Sequence, residues 1–149
     1  MQLIHEFTIR ANLYEPNPVG AGPIGTRMHY GIAKGTVEGE RLNGEVLSGG
    51  EWALIDAQGC LRVDVRMQVK THDDAHIYVQ YVGLLGLNET VQNALANGLG
   101  TEFEDQHFYV NPRLETGDER YAWVNSTFFV GEGRLRPNAG VEYRVWRPA

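Results

Sequence analysis

A strict two-residue alternation between residues 61 and 70 constrains the fold of this chain most strongly. Apolar residues occupy every second position, and the positions between them are held by Arg62, Asp64, Arg66, Gln68 and Lys70. Successive side chains of a β-strand point to opposite faces of a sheet, so the segment predicts a strand with one apolar and one polar face. By alternation alone the polar face meets water. In a barrel that holds a ligand, or in an oligomer, both faces would be buried and the polar face would meet that partner instead.

Further segments and the turns between them predict an all-β domain. Residues 3–13 and 24–32 alternate in the same way, and 18 glycines are scattered along the 149 residues rather than clustered as in a linker. Glycines between short apolar segments indicate tight turns and strand bends. The sequence therefore predicts a single domain over residues 1–149, a closed or nearly closed antiparallel up-and-down β-barrel of about 8–9 strands with one short helix.

Local signals place four of these elements. Asn88 is a suitable N-cap and Gly98 a suitable end for the helix. Gly49 and Gly50 suit the positive φ of a hairpin turn between short strands at residues 41–47 and 52–56. Residues 110–118 are interpreted as a loop, and the aromatic segment 120–131 as a strand.

Composition excludes several classes of function. The net charge of −6 argues against binding to nucleic acid or to anionic membrane surfaces. Cys60 is the only cysteine, so no disulfide can form within the chain, and the cytoplasm is the expected location. The five histidines lack metal-site spacing, and no phosphate-binding or dinucleotide motif occurs, so we expect neither a metal nor another cofactor.

The predicted strand at residues 120–131 carries rings and an amide on one face. Trp123 and Asn125 share that face in a strand, which would make a wall for a small organic ligand. The alternative is a core strand whose polar atoms are satisfied by their neighbours.

The ionisable residues of the predicted barrel wall suggest acid–base chemistry. Asp64 and Arg66 are two positions apart, so they share a face and form the first candidate pair. Either Asp64 or Glu51 would act as the general acid or base, while an arginine or amide would stabilise an enolate-like oxygen. The candidates are thus Asp64, Arg66 and Glu51 for catalysis, and Arg27, Trp52, Tyr81, Trp123, Asn125 and Tyr143 for ligand binding.

Seven motifs spread over most of the chain resemble the family known as domain of unknown function 3237 (DUF3237). They are Gly22-Pro23-x-Gly25-x-Arg27, Leu42-x-Gly44-x-Val46-Leu47-x-Gly49-Gly50-x-Trp52, Leu61-x-Val63-Asp64-Val65-Arg66, Thr71-x-Asp73-x-Ala75-x-Ile77, Tyr81-x-Gly83, Leu114-Glu115-Thr116 and Arg120-Tyr121-Ala122-Trp123-Val124-Asn125.

The resemblance implies a small, oligomeric β-barrel without a settled activity, in a family where some members look like cofactor-free enzymes acting on aromatic or polyketide-derived molecules. It also implies that the lumen is lined by Arg27, Asp64, Arg66, Trp123 and Asn125. Two positions depart from the family pattern: Asp74 stands where glycine is usual, and Glu51 where aspartate is usual.

Three functions follow as hypotheses. The first is a cofactor-independent isomerase, cyclase or lyase that acts on an oxygenated aromatic or carbonyl compound inside the barrel. The second is a non-catalytic barrel that binds a small ligand, and the third is a filled barrel with a structural role. The first predicts a polar pair deep in a cavity and predicts that Asp64→Asn abolishes turnover.

Overall fold

The fold, described for residues 1–149 by a computed structural model, consists of nine antiparallel strands, one α-helix and two 3₁₀ helices. The strands are β1 (Leu3–Leu13), β2 (Asn17–Ala21), β3 (Thr26–Gly39), β4 (Gly44–Ile55), β5 (Cys60–Thr71), β6 (His76–Gly86), β7 (Phe108–Glu115), β8 (Val130–Arg136) and β9 (Gly140–Pro148). The helix α1 spans Glu89–Asn97, and the 3₁₀ helices span Phe103–Asp105 and Glu119–Ser126.

Eight of the strands close into a barrel. The sheet order is β1-β9-β8-β7-β6-β5-β4-β3-β2, and β1 pairs again with β3 to complete the cylinder. β2 is a ninth strand that pairs only with the beginning of β3. The predicted barrel is confirmed, and so is the helix: the Asn88 side chain accepts a hydrogen bond from the Val91 N–H, and Gly98 ends α1 with φ of 65°.

The core fills the interior of the barrel with apolar side chains. In β5 the alternation is confirmed, because Val63 and Val65 are each 3% exposed and lie in the core, whereas Arg66 is exposed and Asp64 is partly exposed on the outer face. The expectation that Asp64 and Arg66 face the lumen was therefore wrong. The period of two leaves these residues no inward position while the valines pack inside.

β4 is one continuous strand, so the predicted hairpin turn at Gly49 and Gly50 was wrong. The pairing of β4 with β5 shifts between Val46 and Ser48, which marks a β-bulge at Leu47. A Cβ atom on Gly49 would lie 2.5 Å from the Cβ of Met67, so this position needs glycine for the close approach of the two strands.

The bulge changes which residues of β4 face inward. Val46 pairs with the interior residue Val69 before the bulge, and Glu51 pairs with the interior residue Val65 after it. Even positions therefore face the interior before the bulge and odd positions face it afterwards. As a result, Glu51 points into the barrel and Trp52 points out.

The wall formed by β3 contains several interior side chains that remain partly accessible. β3 pairs with β2 through its first residues and with β1 only from Ile32 onward, and its ladder with β4 is interrupted between Gly31 and Thr36. Met28, Tyr30 and Ile32 face the interior but stay partly exposed, unlike the fully buried residues of β5 and β6. We call this partly exposed side the β3 wall.

The sequence interpretations of residues 110–118 and 120–131 were wrong. Residues 108–115 form a strand rather than a loop, and residues 119–126 form a 3₁₀ helix rather than a strand. β7 pairs with β8 at only two positions, through Tyr109 and Val110, because Pro112 follows and has no N–H to donate. The helix Glu119–Ser126 fills the space that opens there, with Tyr121 and Val124 buried.

Candidate functional site

Glu51 is a carboxylate inside the barrel without a partner. It lies between Tyr30 of β3 and Val65 of β5, and only 9% of the residue is exposed. No basic side chain and no hydrogen-bond donor contacts its carboxylate, although its oxygens are not among the fully enclosed unpartnered atoms, which are Gln106 Oε1 and Arg144 Nε. At least part of the carboxylate therefore remains accessible to a water-sized molecule.

Burial changes the acidity of Glu51. Loss of hydration and, second to it, the negative charge of Asp64 behind the sheet together raise the pKa of this carboxyl to about 7. Near neutral pH both the acid and the base form are therefore populated. A carboxyl poised in this way can accept and return a proton, which is the property required of a general acid–base catalyst.

Three tyrosines share the interior with Glu51. The rings of Tyr81 and Tyr143 pack edge to face, with their centres 5.1 Å apart. The Tyr30 hydroxyl donates a hydrogen bond to Met28 Sδ at 3.2 Å. Burial raises the pKa of all three hydroxyls, and the charge of Glu51 raises it further. They stay protonated at physiological pH, so each remains an O–H donor.

No basic side chain lies beside Glu51. The inward-facing residues of β3 to β6 around it are apolar, small, tyrosine or threonine, and Arg147 at the end of β9 is paired with Glu6. A bound anion would thus meet Glu51 without a compensating cation. The arrangement favours an uncharged molecule that accepts hydrogen bonds from tyrosine and exchanges a proton with the carboxyl.

The nine predicted site residues separate into three groups. Glu51, Tyr81 and Tyr143 come together in the interior. Arg27, Trp52, Asp64 and Arg66 lie on the outer face, where Arg27 Nη1 donates to the Trp52 carbonyl at 3.1 Å. Trp123 and Asn125 belong to the helix Glu119–Ser126.

The implied lumen positions of Arg27 and Asn125 were therefore also wrong, whereas Trp123 packs against the core beside Phe129. Arg27 pairs with Leu54 in the part of β4 that follows the bulge, where even positions face outward. The guanidinium carbon of Arg41 lies 3.6 Å from the centre of the Trp123 ring. Asn125 is turned by the 3₁₀ helix toward Thr116. Roles of these outer residues in catalysis or binding stay predictions.

Three of the sequence motifs, at residues 71–77, 114–116 and 120–125, form a hydrogen-bonded network, which we call the latch. Asp73 accepts hydrogen bonds from Thr71 Oγ1 at 2.6 Å and from the Tyr121 hydroxyl at 2.7 Å, and Arg120 lies 3.3 Å from it. Hydrogen bonds from Thr71 and Tyr121 lower the pKa of Asp73 to about 2. Asn125 accepts from the Thr116 N–H and donates to its carbonyl. The latch holds the helix Glu119–Ser126 across the barrel end.

Asp74, which departs from the family pattern, lies in the turn before β6. Asp74 adopts φ of 70°, the left-handed region that a glycine occupies more easily. The Ala75 N–H donates to Thr71 Oγ1 at 2.8 Å, which fixes the turn beside the latch. Aspartate tolerates this conformation better than most residues, so the substitution is accommodated locally.

Sequence reasoning missed Tyr30 as a site residue. Its signal was present, because Tyr30 belongs to the alternating segment at residues 24–32 and shares a face with Met28 and Ile32. Only the pairing of Tyr30 with Glu51 shows that this face meets the carboxylate.

The structure has neither a cluster of metal-binding side chains nor a membrane-spanning helix. No group of three or more histidine, cysteine, aspartate or glutamate side chains lies close enough together to hold a metal ion. None of the helices has the length and apolar character needed to cross a bilayer.

Comparison with known proteins places the chain in a family. A family model described as "Protein of unknown function (DUF3237)" matches residues 1–148. The chain belongs to this family. A UPF0311 protein of Rhodopseudomonas palustris is 29% identical over 126 residues, which cover 84% of this chain and 82% of the relative. Its crystal structure, of a protein of unknown function, superimposes with a TM-score of 0.89 at 27% identity, covering 98% of this chain and 96% of that one.

Two further solved structures have a similar fold. A β-barrel-like protein from Acinetobacter baumannii matches with a TM-score of 0.81 and 27% identity over 98% of this chain and 94% of its own. A protein from Penicillium herquei that is described as an enzyme matches with a TM-score of 0.70 over 98% of this chain and 92% of its own. At 18% identity the latter likeness concerns the fold alone.

Proposed function

We propose that this DUF3237 protein is a cofactor-independent enzyme that isomerises, cyclises or eliminates from a small, uncharged carbonyl or phenolic compound inside its barrel. The observation that carries the proposal is Glu51, an unpaired interior carboxyl with a pKa of about 7. A buried carboxyl without a partner lowers stability, and such groups are concentrated at functional sites.

The proposed chemistry is a proton transfer at or beside a carbonyl group. In its ionised form Glu51 accepts a proton from a carbon or hydroxyl group of the substrate. The Tyr81 and Tyr143 hydroxyls donate hydrogen bonds to the oxygen on which negative charge develops, in a site with little competing water. Protonated Glu51 then returns the proton to another atom of the substrate, so that the step needs no oxidant and no external acid.

The surroundings of Glu51 define the class of substrate. Met28, Tyr30 and Ile32 of the β3 wall are apolar or aromatic and partly exposed, so they offer a path and a contact surface for a flat organic molecule. The absence of a cation beside Glu51 disfavours a carboxylate or phosphate group near it. This refines the initial hypothesis, because the oxygen-binding groups are tyrosines rather than Arg27, Arg66 or Asn125.

A non-catalytic ligand-binding barrel is the second candidate. It is favoured by the apolar character of the remaining interior, where a core of 26 buried side chains surrounds the single carboxyl. In that case Glu51 and the tyrosines would serve only as hydrogen-bonding groups for the ligand.

Deuterium exchange separates the two candidates. The protein is incubated in heavy water with a panel of uncharged phenols and enolisable ketones, and the products are analysed by NMR and mass spectrometry. We expect the wild type to incorporate deuterium or form an isomer at a rate that rises with pH through about 7, as Glu51 ionises.

Variants of one strand supply the matched controls. Glu51→Gln should lower the rate by roughly 10²–10⁴-fold, a typical contribution of a general base. Glu45→Gln, an exposed glutamate of the same strand, should leave it unchanged. Turnover at the wild-type rate in Glu51→Gln would contradict the proposed mechanism. Saturable binding of a compound recovered chemically unchanged would favour the second candidate.

A further inference from the structure

Two arginines of this chain differ from the other nine in having no partner. Nine of the eleven arginines contact a carboxylate or a backbone carbonyl within the chain. Arg66 and Arg113 take part in none of these ion pairs or side-chain hydrogen bonds, and both are exposed. In a chain whose net charge is −6, two unpaired guanidinium groups are a local exception.

The two arginines belong to one row on the outer face of the barrel. Arg66 of β5 pairs with Gln80 of β6, and Gln80 pairs with Arg113 of β7. Neighbouring strands are about 4.8 Å apart, so the Cα atoms of the two arginines are separated by roughly 10 Å. Side chains of this length can converge above Gln80, whose amide also has no side-chain partner.

A cleft of about 720 Å³ begins at Arg113. It lies where β8 leaves β7, between the outer face of β6 and β7 and residues 124–128. Gln80 and Arg113 line its floor, Ser126 supplies a hydroxyl at its wall, and the ring of Phe128 is 64% exposed beside it. The cleft thus combines two kinds of contact, hydrogen-bond donors at one end and an aromatic face at another.

We propose that Arg66, Gln80 and Arg113 bind the oxyanion of a small organic anion, with its ring lying in the cleft against Phe128. Guanidinium groups bind carboxylate and phosphate oxygens through paired N–H donors, and an exposed ring gains from stacking. Glu115 also lines the cleft, and Asp64 lies two positions from Arg66 on the same strand face, so these carboxylates limit the space available to negative charge. This site is separate from the interior around Glu51 and takes the opposite class of ligand.

Titration of the whole protein with phenyl phosphate and with inorganic phosphate tests the proposal by NMR. Phenyl phosphate should shift the Arg66 and Arg113 side-chain resonances saturably. Arg66→Gln and Arg113→Gln should each weaken binding by about tenfold, the loss expected for a charged hydrogen bond. Lys34→Gln removes an exposed charge elsewhere in β3 and should leave the affinity unchanged.

Phe128→Ala distinguishes recognition of the ring from recognition of the oxyanion. It should weaken binding of phenyl phosphate several-fold and leave that of inorganic phosphate unaltered. The proposal fails if neither compound binds saturably, or if Lys34→Gln weakens binding as much as the arginine variants do. Unchanged unfolding midpoints of the variants show that a lost interaction does not reflect a lost fold.

Discussion

A carboxylate has opposite surroundings in the latch and in the interior around Glu51. In the latch, the Asp73 carboxylate is supplied with two hydroxyl donors and an arginine, and the pKa falls to about 2. In the interior, Glu51 has no such partner, and the pKa rises to about 7. A fully satisfied group stabilises the fold, whereas an unsatisfied one costs stability and keeps its reactivity.

The most recognisable sequence motif therefore does not contain the interior carboxyl that lacks a partner. The segment from Arg120 to Asn125 is the most specific part of the family resemblance, yet its polar groups are engaged in holding a helix across the barrel end. Glu51 occupies a less distinctive position in a glycine-rich strand. The search for function is therefore better directed by unpartnered buried groups than by the density of motif residues.

Removing the buried ring of Phe129, which follows the helix of the latch, should have the largest effect on the free energy of unfolding. Phe129 is 0% exposed and contacts the ring of Phe7 at 5.5 Å. Phe129→Ala should lower the free energy of unfolding by about 3–5 kcal/mol, because it leaves a cavity in the core. Denaturant unfolding measures this loss. A decrease below 1 kcal/mol would mean that this end of the barrel contributes little to stability.

Neutralising Glu51 should stabilise the protein at high pH. The pKa of this group is raised on folding from its ordinary value of 4.5 to about 7, so its favourable contribution is present below pH 4.5 and is lost as the pH rises through 7. Glu51→Gln should therefore be more stable than the wild type by up to about 3 kcal/mol at pH 8 and nearly equal to it at pH 4. Unfolding curves at both pH values check this, with Glu45→Gln as the control. A pH-independent difference would remove the case for an unsatisfied carboxyl.

Breaking the amide bonds of the latch should have a smaller effect. Asn125→Ala removes both hydrogen bonds to Thr116 in an exposed setting, so the free energy of unfolding should fall by about 1 kcal/mol. Interior chemistry at Glu51 should be unchanged. Loss of turnover in this variant, with stability retained, would instead assign Asn125 to a functional site.

Acid should weaken the latch before the rest of the barrel. The pKa of Asp73 is lowered from 3.8 to about 2, so its contribution is complete above pH 4 and is lost as the pH falls through 2. Amide hydrogen exchange in the helix Glu119–Ser126 should accelerate over that range. Asp73→Asn should make exchange there fast already at neutral pH and remove the acid dependence.

Replacing Asp64 should have the smallest effect. The negative charge of Asp64 contributes to the raised pKa of Glu51 from the other side of the sheet. Asp64→Asn should consequently lower the pKa of Glu51 while leaving the fold intact, and the pH dependence of turnover should move with it. An unaltered profile would show that Asp64 does not influence the interior carboxyl.

Much of the fold was predictable because strand periodicity is a local property. The strands at residues 3–13 and 61–70 and the capped helix follow from patterns within each segment. The segment at residues 120–126 was misread because its aromatic and β-branched residues favour a strand, whereas tertiary contacts of Tyr121 and Val124 hold it as a 3₁₀ helix.

The site was only partly predictable, because the facing of each strand had to be known. Glu51, Tyr81 and Tyr143 were found as candidates, but nothing local showed that they meet. Asp64 and Arg66 were expected inside on the strength of the resemblance, against their own alternation. The facing of Glu51 itself depends on the extra residue in β4, which a sequence with two adjacent glycines presents as a turn.

The extra residue in β4 decides which face of the second half of this strand is turned inward. Loss or gain of one amino acid near Leu47 would exchange the two sides of everything downstream in that strand, placing Trp52 within and the acid outside. A single inserted or deleted codon near Leu47, without any substitution, would thus decide whether the carboxyl of β4 lies in the interior or in solvent.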